Sequence, residues 1–156
     1  MEDFESIYES YKSKVYSTAY RMLGNSTDAE DITQDVFVRI YKKLHTLRNE
    51  AVLSTWIWRI TMNLCIDWLR KKKVKMVLSE EPIATDRSDP HLKLTLEQMI
   101  SSLPNGYKSV FILHDVEGLN HKEISKVLRI SEGTSKSQLH RARLLLRDKL
   151  GPIFGK

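Results

Sequence analysis

Apolar side chains recur at intervals of three and four through almost all of this 156-residue chain, and glycine and proline together supply only ten breaks. That period is one face of an α-helix, and the strict alternation of a half-buried strand persists nowhere. The expected fold is all-α. Ile7, Tyr8, Tyr11, Val15, Ala19 and Met22 mark the inner face of a first helix, closed by Gly24-Asn25. Thr27 and Glu30 have capping-box spacing and predict a second helix from Asp28 to about His45, with Ala29, Ile32, Val36, Phe37, Ile40 and Leu44 inward. A short loop, residues 47–53, leads to Ser54, a good N-cap for a third helix.

That third helix, STWIWRITMNLCIDWLRKKK, holds all three tryptophans and ends in four basic side chains. On a helical wheel Trp56, Ile57, Trp58, Ile60, Met62, Leu64, Cys65, Trp68 and Leu69 spread over about 240°, wider than a surface helix needs, so most of it is expected to be core. Arg59, Asn63, Asp67 and Arg70 form a narrow polar stripe beside this arc. Such a stripe is either solvated or a contact surface; an asparagine amide can read base edges, and the basic run from Arg70 to Lys73 can hold phosphates.

Periodicity fades from Val74 to Asp89, where Ser79, Glu80, Glu81, Pro82, Asp86 and Ser88 dominate. The expected organisation is two small helical domains, residues 1–75 and 91–156, joined by a flexible linker over 76–90. Asp89-Pro90 resembles an N-cap followed by proline at the first helical position, predicting a helix to about Ser102. Leu103-Pro104 punctuates, and Tyr107, Val110, Phe111 and His114 mark a helix that Gly118 stops. Two further helices, Lys122 to Leu128 and Glu132 to about Leu150, are joined by Arg129-Ile130-Ser131 alone, which is helix-turn-helix spacing.

The last of these sorts its side chains by face. Ser135, Leu139, Ala142 and Leu146 line one side, while Lys136, His140, Arg143 and Arg147 lie about 100° away, with Ser137 and Arg141 extending the polar surface. The second helix of such a motif enters the major groove with its N-terminal part against base edges. This assigns Lys136, Ser137 and His140 to bases, and Arg141, Arg143 and Arg147 to phosphates.

Charge agrees with a polyanionic partner. Residues 1–75 carry thirteen basic and ten acidic side chains, residues 76–100 two and five, and residues 101–156 ten and five. Catalysis is not expected: there is no glycine-rich phosphate loop and no nucleophile with a base at readable spacing. The five histidines are scattered, one cysteine cannot make a zinc site, and neither a metal nor a cofactor is called for. The lone Cys65 allows no internal disulfide, and the charged first twenty residues do not read as a signal peptide, so a reducing cytoplasm is the expected compartment. No apolar run approaches the roughly 20 residues that span a bilayer, so membrane insertion is not expected.

Three stretches, DAEDITQDVFVRIYKKL, TWIWRITMNLCIDWLRKKK and EISKVLRISEGTSKSQLHRARLLLR, together resemble bacterial sigma factors of the extracytoplasmic-function type, which keep only regions 2 and 4. The likeness covers nearly the whole chain. It implies a transcription-initiation factor that binds core RNA polymerase, through the β′ clamp helices and also the β subunit, and that recognises and melts promoter DNA. Asp31, Gln34 and Asp35 match the family's clamp-docking positions. Leu47, Arg48 and Asn49, in the loop that captures a flipped minus-ten base, join Arg59, Asn63, Asp67, Arg70 and Lys71 as the implied minus-ten surface. Lys136, Ser137, His140, Arg141, Arg143 and Arg147 become the implied minus-thirty-five surface, and an anti-sigma factor is the implied inhibitor. The competing reading is a stand-alone helix-turn-helix regulator, which explains residues 104–156 but leaves residues 28–73 as scaffold. Four positions depart from the family pattern: Arg129 replaces a glycine, Ser135 a valine, Gln138 an arginine and Leu47 an aromatic. The first predicts a left-handed arginine and the second a buried hydroxyl in need of a partner.

Overall fold

Helix α1 (Phe4–Leu23) starts where the Asp3 carboxylate accepts the Ser6 amide hydrogen and stops where Gly24 turns left-handed at φ 86°. The computed structural model describes residues 3–78 and 95–154, and every element among them is helical. Helix α2 (Ser26–Lys43) is capped by Asn25, whose side-chain oxygen accepts from Asp28 N at 2.8 Å. The cap therefore precedes the expected Thr27, which falls inside the first turn, because Asn25, with its backbone extended, already satisfies an orphan amide through its side-chain oxygen.

Two 3₁₀ turns, Leu44–Thr46 and Glu50–Val52, carry the chain into α3 (Leu53–Leu78). Ser54 is not an N-cap, since the second turn runs straight into helical backbone at Leu53, and it is Asn49 that caps the turn by accepting from Ala51 N at 3.0 Å. At its other end α3 continues five residues beyond Lys73. The rest of the expected linker, residues 79–90, lies outside the described residues.

The second unit opens with α4 (Leu96–Ser101), where Thr95 and Gln98 form a reciprocal capping box. Thr95 is extended at ψ 161°, so the helix predicted to run unbroken from Pro90 to Ser102 instead starts at Leu96; Asp89 and Pro90 lie outside the described residues. Helix α5 (Asn105–Phe111) widens into a π turn at Ile112–Val116, sealed by Glu117 N donating to Ile112 O at 2.9 Å, and Gly118 ends it at φ 79°. Helices α6 (His121–Leu128) and α7 (Glu132–Phe154) follow. Their joint depends on Arg129, which takes the left-handed conformation at φ 57°, ψ 48° and donates its N–H to Ser125 O.

Ile7, Val15, Ala19 and Met22 of α1, Ala29, Ile32, Val36 and Ile40 of α2, and Ile57, Trp58, Met62 and Cys65 of α3 are buried together. Tyr8, expected inward, is 40% exposed at the helix edge. The same buried cluster continues through Met99, Leu103, Val110, Leu113, Ile124, Val127, Leu139, Ala142 and Leu146. The wide apolar arc of α3 has two partners, α1 and α2 on one side and α6 on the other. Trp58 is the fully buried tryptophan, while Trp56 and Trp68 are partly buried against the core. Polar contacts also tie the units. Arg21 of α1 grips Glu97 of α4 at 2.7 and 3.0 Å, and Arg59 of α3 donates to Lys126 O of α6 at 3.0 Å.

Candidate nucleic-acid and polymerase interfaces

The helix-turn-helix geometry presents α7 as the sequence pattern requires. Ser135, Leu139, Ala142 and Leu146 face inward and are buried, leaving Lys136, Ser137, His140, Arg141, Arg143 and Arg147 exposed on one continuous surface. The basic run is not uniform. Arg143 makes a bidentate pair with Asp115 of the π turn, Nε to Oδ2 at 3.0 Å and Nη2 to Oδ1 at 2.8 Å, so its charge is already neutralised within the protein. This differs from its expected place among free phosphate-binding cations. Gln138 points the other way: its side-chain oxygen sits 3.2 Å from where a Cβ on Gly106 would stand, so a side chain there would press on the Gln138 amide.

The buried Ser135 hydroxyl has the partner its position demands, His121 Nδ1 at 2.8 Å. The His121 ring stacks on His114, with centroids 4.8 Å apart and planes at 22°, and His114 Nδ1 lies 2.7 Å from the same Asp115 that holds Arg143. The Arg143 guanidinium, with a smaller contribution from His114, holds the Asp115 carboxyl below its ordinary value against the opposing effect of burial. The partners that Ser135 finds here were not visible in sequence. The π turn that brings Asp115 and His114 toward α7 carries no composition signal, and only the buried serine hinted that a polar side chain must meet it.

On α3 the stripe of Arg59, Asn63, Asp67 and Arg70 is exposed, as is Lys71. Asp67 and Arg70 lie 3.8 Å apart, a loose surface pair, and Arg59 is engaged with Lys126 O. Lys72 places its ammonium 4.9 Å from the centre of the Trp68 ring. The loop before α3 divides: Arg48 and Asn49 are exposed, but Leu47 is only 9% exposed and packs into the core. Leu47 is therefore not displayed with the other expected minus-ten residues, because the turn at Leu44–Thr46 tucks its apolar side chain inward.

Asp31, Gln34 and Asp35 are exposed together on α2, opposite the buried Ile32, Val36 and Ile40. Gln34 also lines an open apolar groove with Phe4, Tyr8, Phe37, Val38 and Tyr41. Val38 is 50% and Tyr41 69% exposed there. Both fall outside the inward apolar stripe of α2, so helical period alone does not single them out. Among the described residues no group of three His, Cys, Asp or Glu side chains could hold a metal ion, and no helix is long and apolar enough to cross a membrane.

Comparison with known proteins decides what these surfaces belong to. Residues 7–74 match the Sigma-70 region 2 family and residues 93–146 match Sigma-70, region 4. The chain is 35% identical to the ECF RNA polymerase sigma factor SigW of Bacillus subtilis, over 94% of this chain and 88% of that protein. The chain belongs to the ECF sigma factors of RNA polymerase. It is thus an alternative-type sigma factor that directs transcription initiation. SigM of Bacillus subtilis, another ECF RNA polymerase sigma factor, is 32% identical over 92% of each chain. This sigma factor also shares its fold with RpoE of Bartonella quintana, solved in complex with the anti-sigma factor NepR, at a TM-score of 0.80, 21% identity and coverage of 96% and 98%. CnrH, solved with the cytosolic domain of CnrY, superposes at a TM-score of 0.67 with 21% identity, covering 96% of this chain and 88% of that one.

Proposed function

We propose that the two units divide the work of initiation, residues 1–75 binding core polymerase and the minus-ten element and residues 91–156 reading the minus-thirty-five element, with 76–90 as the connection. Asp31, Gln34 and Asp35 dock on the polymerase clamp. Arg48, Asn49, Arg59, Asn63, Asp67, Arg70 and Lys71 serve the melted minus-ten strand, and extruding a base there costs a few kcal/mol that edge and stacking contacts must offset. Lys136, Ser137 and His140 read base edges, while Arg141 and Arg147 meet phosphates. The observation that carries this reading is the clean sorting of α7, an inner apolar row against an outer row of exposed basic and polar groups on a tight helix-turn-helix.

The protein acts by binding rather than by catalysis, in the cytoplasm, where polymerase and promoter meet. An anti-sigma factor is its natural inhibitor, by analogy with the partners in the RpoE and CnrH complexes. Run-off transcription with core polymerase on genomic fragments tests the proposal. Discrete promoter-dependent transcripts should appear, and should be lost when Gln34→Ala and Asp35→Lys are combined while helicity is kept. Undiminished capture of core polymerase by that double variant would refute the docking assignment. A stand-alone regulator would instead bind duplex DNA as a dimer and give no transcript with core polymerase.

A further inference from the structure

His121 stands at the first position of α6, directly after the Asn120 cap, and spends its Nδ1 on the hydroxyl of Ser135, which is fully buried. No other side chain bonds that hydroxyl among the described residues. The bond spans the helix-turn-helix, from the start of its first helix to the second turn of α7, and the next residue along α7 is Lys136. Leu139, Ala142 and Leu146 pack α7 into the core, and this one bond adds a direction to that packing, since a buried hydroxyl without a partner is costly.

We infer that His121 is a positioning residue for promoter reading: its bond to Ser135 sets the rotation of α7 on α6, and with it how Lys136 meets the groove, a setting that acid weakens. The inference rests on α7 being the recognition helix. The charge environment gives the acid dependence. His121 faces the stacked His114 from the π turn, and Lys136 and Arg143 from α7, with Glu132 of α7 the one acidic group opposing them. Asp115 lies beyond His114 and is shared between His114 and Arg143. On the far side of α6, α3 offers Arg59 to Lys126 O and Thr55 to Glu123. A cation at His121 would also sit at a helix N-terminus, where the backbone dipole disfavours it.

Partial burial holds the His121 imidazole below its ordinary value of 6.5, helped by His114, Lys136 and Arg143 and resisted by Glu132. A histidine depressed in the fold favours the folded arrangement in its neutral form. That contribution is present above the ordinary value and is lost as pH falls through the folded one. A proton on Nδ1 also obliges Ser135 to turn its own hydrogen away inside the core.

The test uses holoenzyme assembled from core polymerase and the full chain. Two promoters sharing one minus-ten element, with a cognate or a scrambled minus-thirty-five element, compete in one reaction from about pH 8 to about pH 5.5. The ratio of the two transcripts cancels the pH response of the polymerase itself. For the wild type this ratio should fall with acid. His121→Phe should lower it about tenfold already at the alkaline end, the size of one lost base contact. Ser135→Ala, which removes a single oxygen from a helix, should act in the same direction and flatten the pH response. His121→Phe combined with Ser135→Val, an apolar pair in place of the polar one, should restore discrimination and remove the part of the pH response that depends on His121. Single variants that discriminate as the wild type does, or a double variant that keeps the wild-type pH profile, would overturn the inference. A wild type that ignores the minus-thirty-five sequence at every pH would instead overturn the assignment of α7.

Discussion

Arg59 Nη2 on α3 and the carbonyl oxygen of Lys126 on α6 are 3.0 Å apart, so a member of the polar stripe assigned to minus-ten DNA is held by the domain assigned to minus-thirty-five DNA. A second contact joins α1 to α4, where Arg21, only 16% exposed, grips Glu97. In this arrangement the two units clasp each other across α3, and a sigma factor whose domains sit on separate promoter elements must release that clasp.

Combining Arg21→Ala and Arg59→Ala should therefore favour the open arrangement. Partly exposed charged contacts are worth about 0.2–1 kcal/mol each, so the pair shifts the balance by roughly thirtyfold at most. Small-angle scattering of the free protein should report a larger radius of gyration, and high salt should produce part of the same change in the wild type. An unchanged radius in the double variant would show that the apolar contact of α3 with α6 alone holds the units together.

Trp58 and Asn63 should separate stability from promoter opening. Trp58 is buried at 1% exposure, so Trp58→Ala should cost about 3–5 kcal/mol and melt the first unit. Trp56→Ala and Trp68→Ala, at partly buried sites, should cost less. Asn63 is exposed, and Asn63→Ala should move thermal unfolding by no more than about 0.5 kcal/mol while cutting open-complex formation at a cognate promoter. If Asn63→Ala proves as destabilising as Trp58→Ala, the stripe is structural.

The contrast among the three tryptophans shows where sequence reading stops. Helical period placed all of them on the apolar arc, and the arc was real, but the wheel does not say which part of it meets which neighbour. That follows from α6 packing on the far side of α3, a long-range contact with no local signature. Arg129 and Ser135 behaved oppositely. Each departs from the family pattern in a way whose cost is local, so a left-handed arginine and a buried hydroxyl in need of a partner were both legible. The identity of the partner, fourteen residues away on another helix, was not. Leu47 was misplaced for a related reason: a resemblance transfers position along the chain, not the direction in which a side chain points.

Arg129 offers the simplest route to a more stable protein. A non-glycine residue at φ 57° pays about 1 kcal/mol for its Cβ, which glycine avoids, although glycine returns part of this through the entropy of the unfolded chain. Arg129→Gly should raise the stability of the second unit by roughly 0.5 kcal/mol in denaturant unfolding. A destabilised variant would mean that the arginine side chain contributes more than its backbone costs.

The last prediction separates three basic residues of α7, of which the sequence pattern assigns Lys136 to bases and both Arg143 and Arg147 to phosphates. Lys136 lies in the second turn, where a groove-inserted helix comes nearest the bases, and Arg147 lies about three turns farther along, within reach of backbone only. Arg143 stands between them with its charge matched by Asp115. Lys136→Ala should cost about 1–3 kcal/mol on a cognate minus-thirty-five duplex and little on a scrambled one, because a lost base contact removes discrimination. Arg147→Ala should weaken both duplexes alike and flatten the salt dependence by roughly one unit of slope, because one fewer counterion is released. Arg143→Ala should leave that slope nearly unchanged, since a guanidinium already paired within the protein displaces no counterion, and should instead expose Asp115 to acid. The Asp115 carboxyl lies below its ordinary value of 3.8 chiefly through Arg143, so the stability it contributes is present above that value and lost as pH falls through the lower folded one. Without Arg143 most of that contribution should be missing at neutral pH. Fluorescence anisotropy of the holoenzyme on both duplexes at several salt concentrations, with pH-dependent unfolding of the free chain alongside, measures all three. A salt slope that drops as much for Arg143→Ala as for Arg147→Ala would mean that Arg143 leaves Asp115 for phosphate when DNA binds.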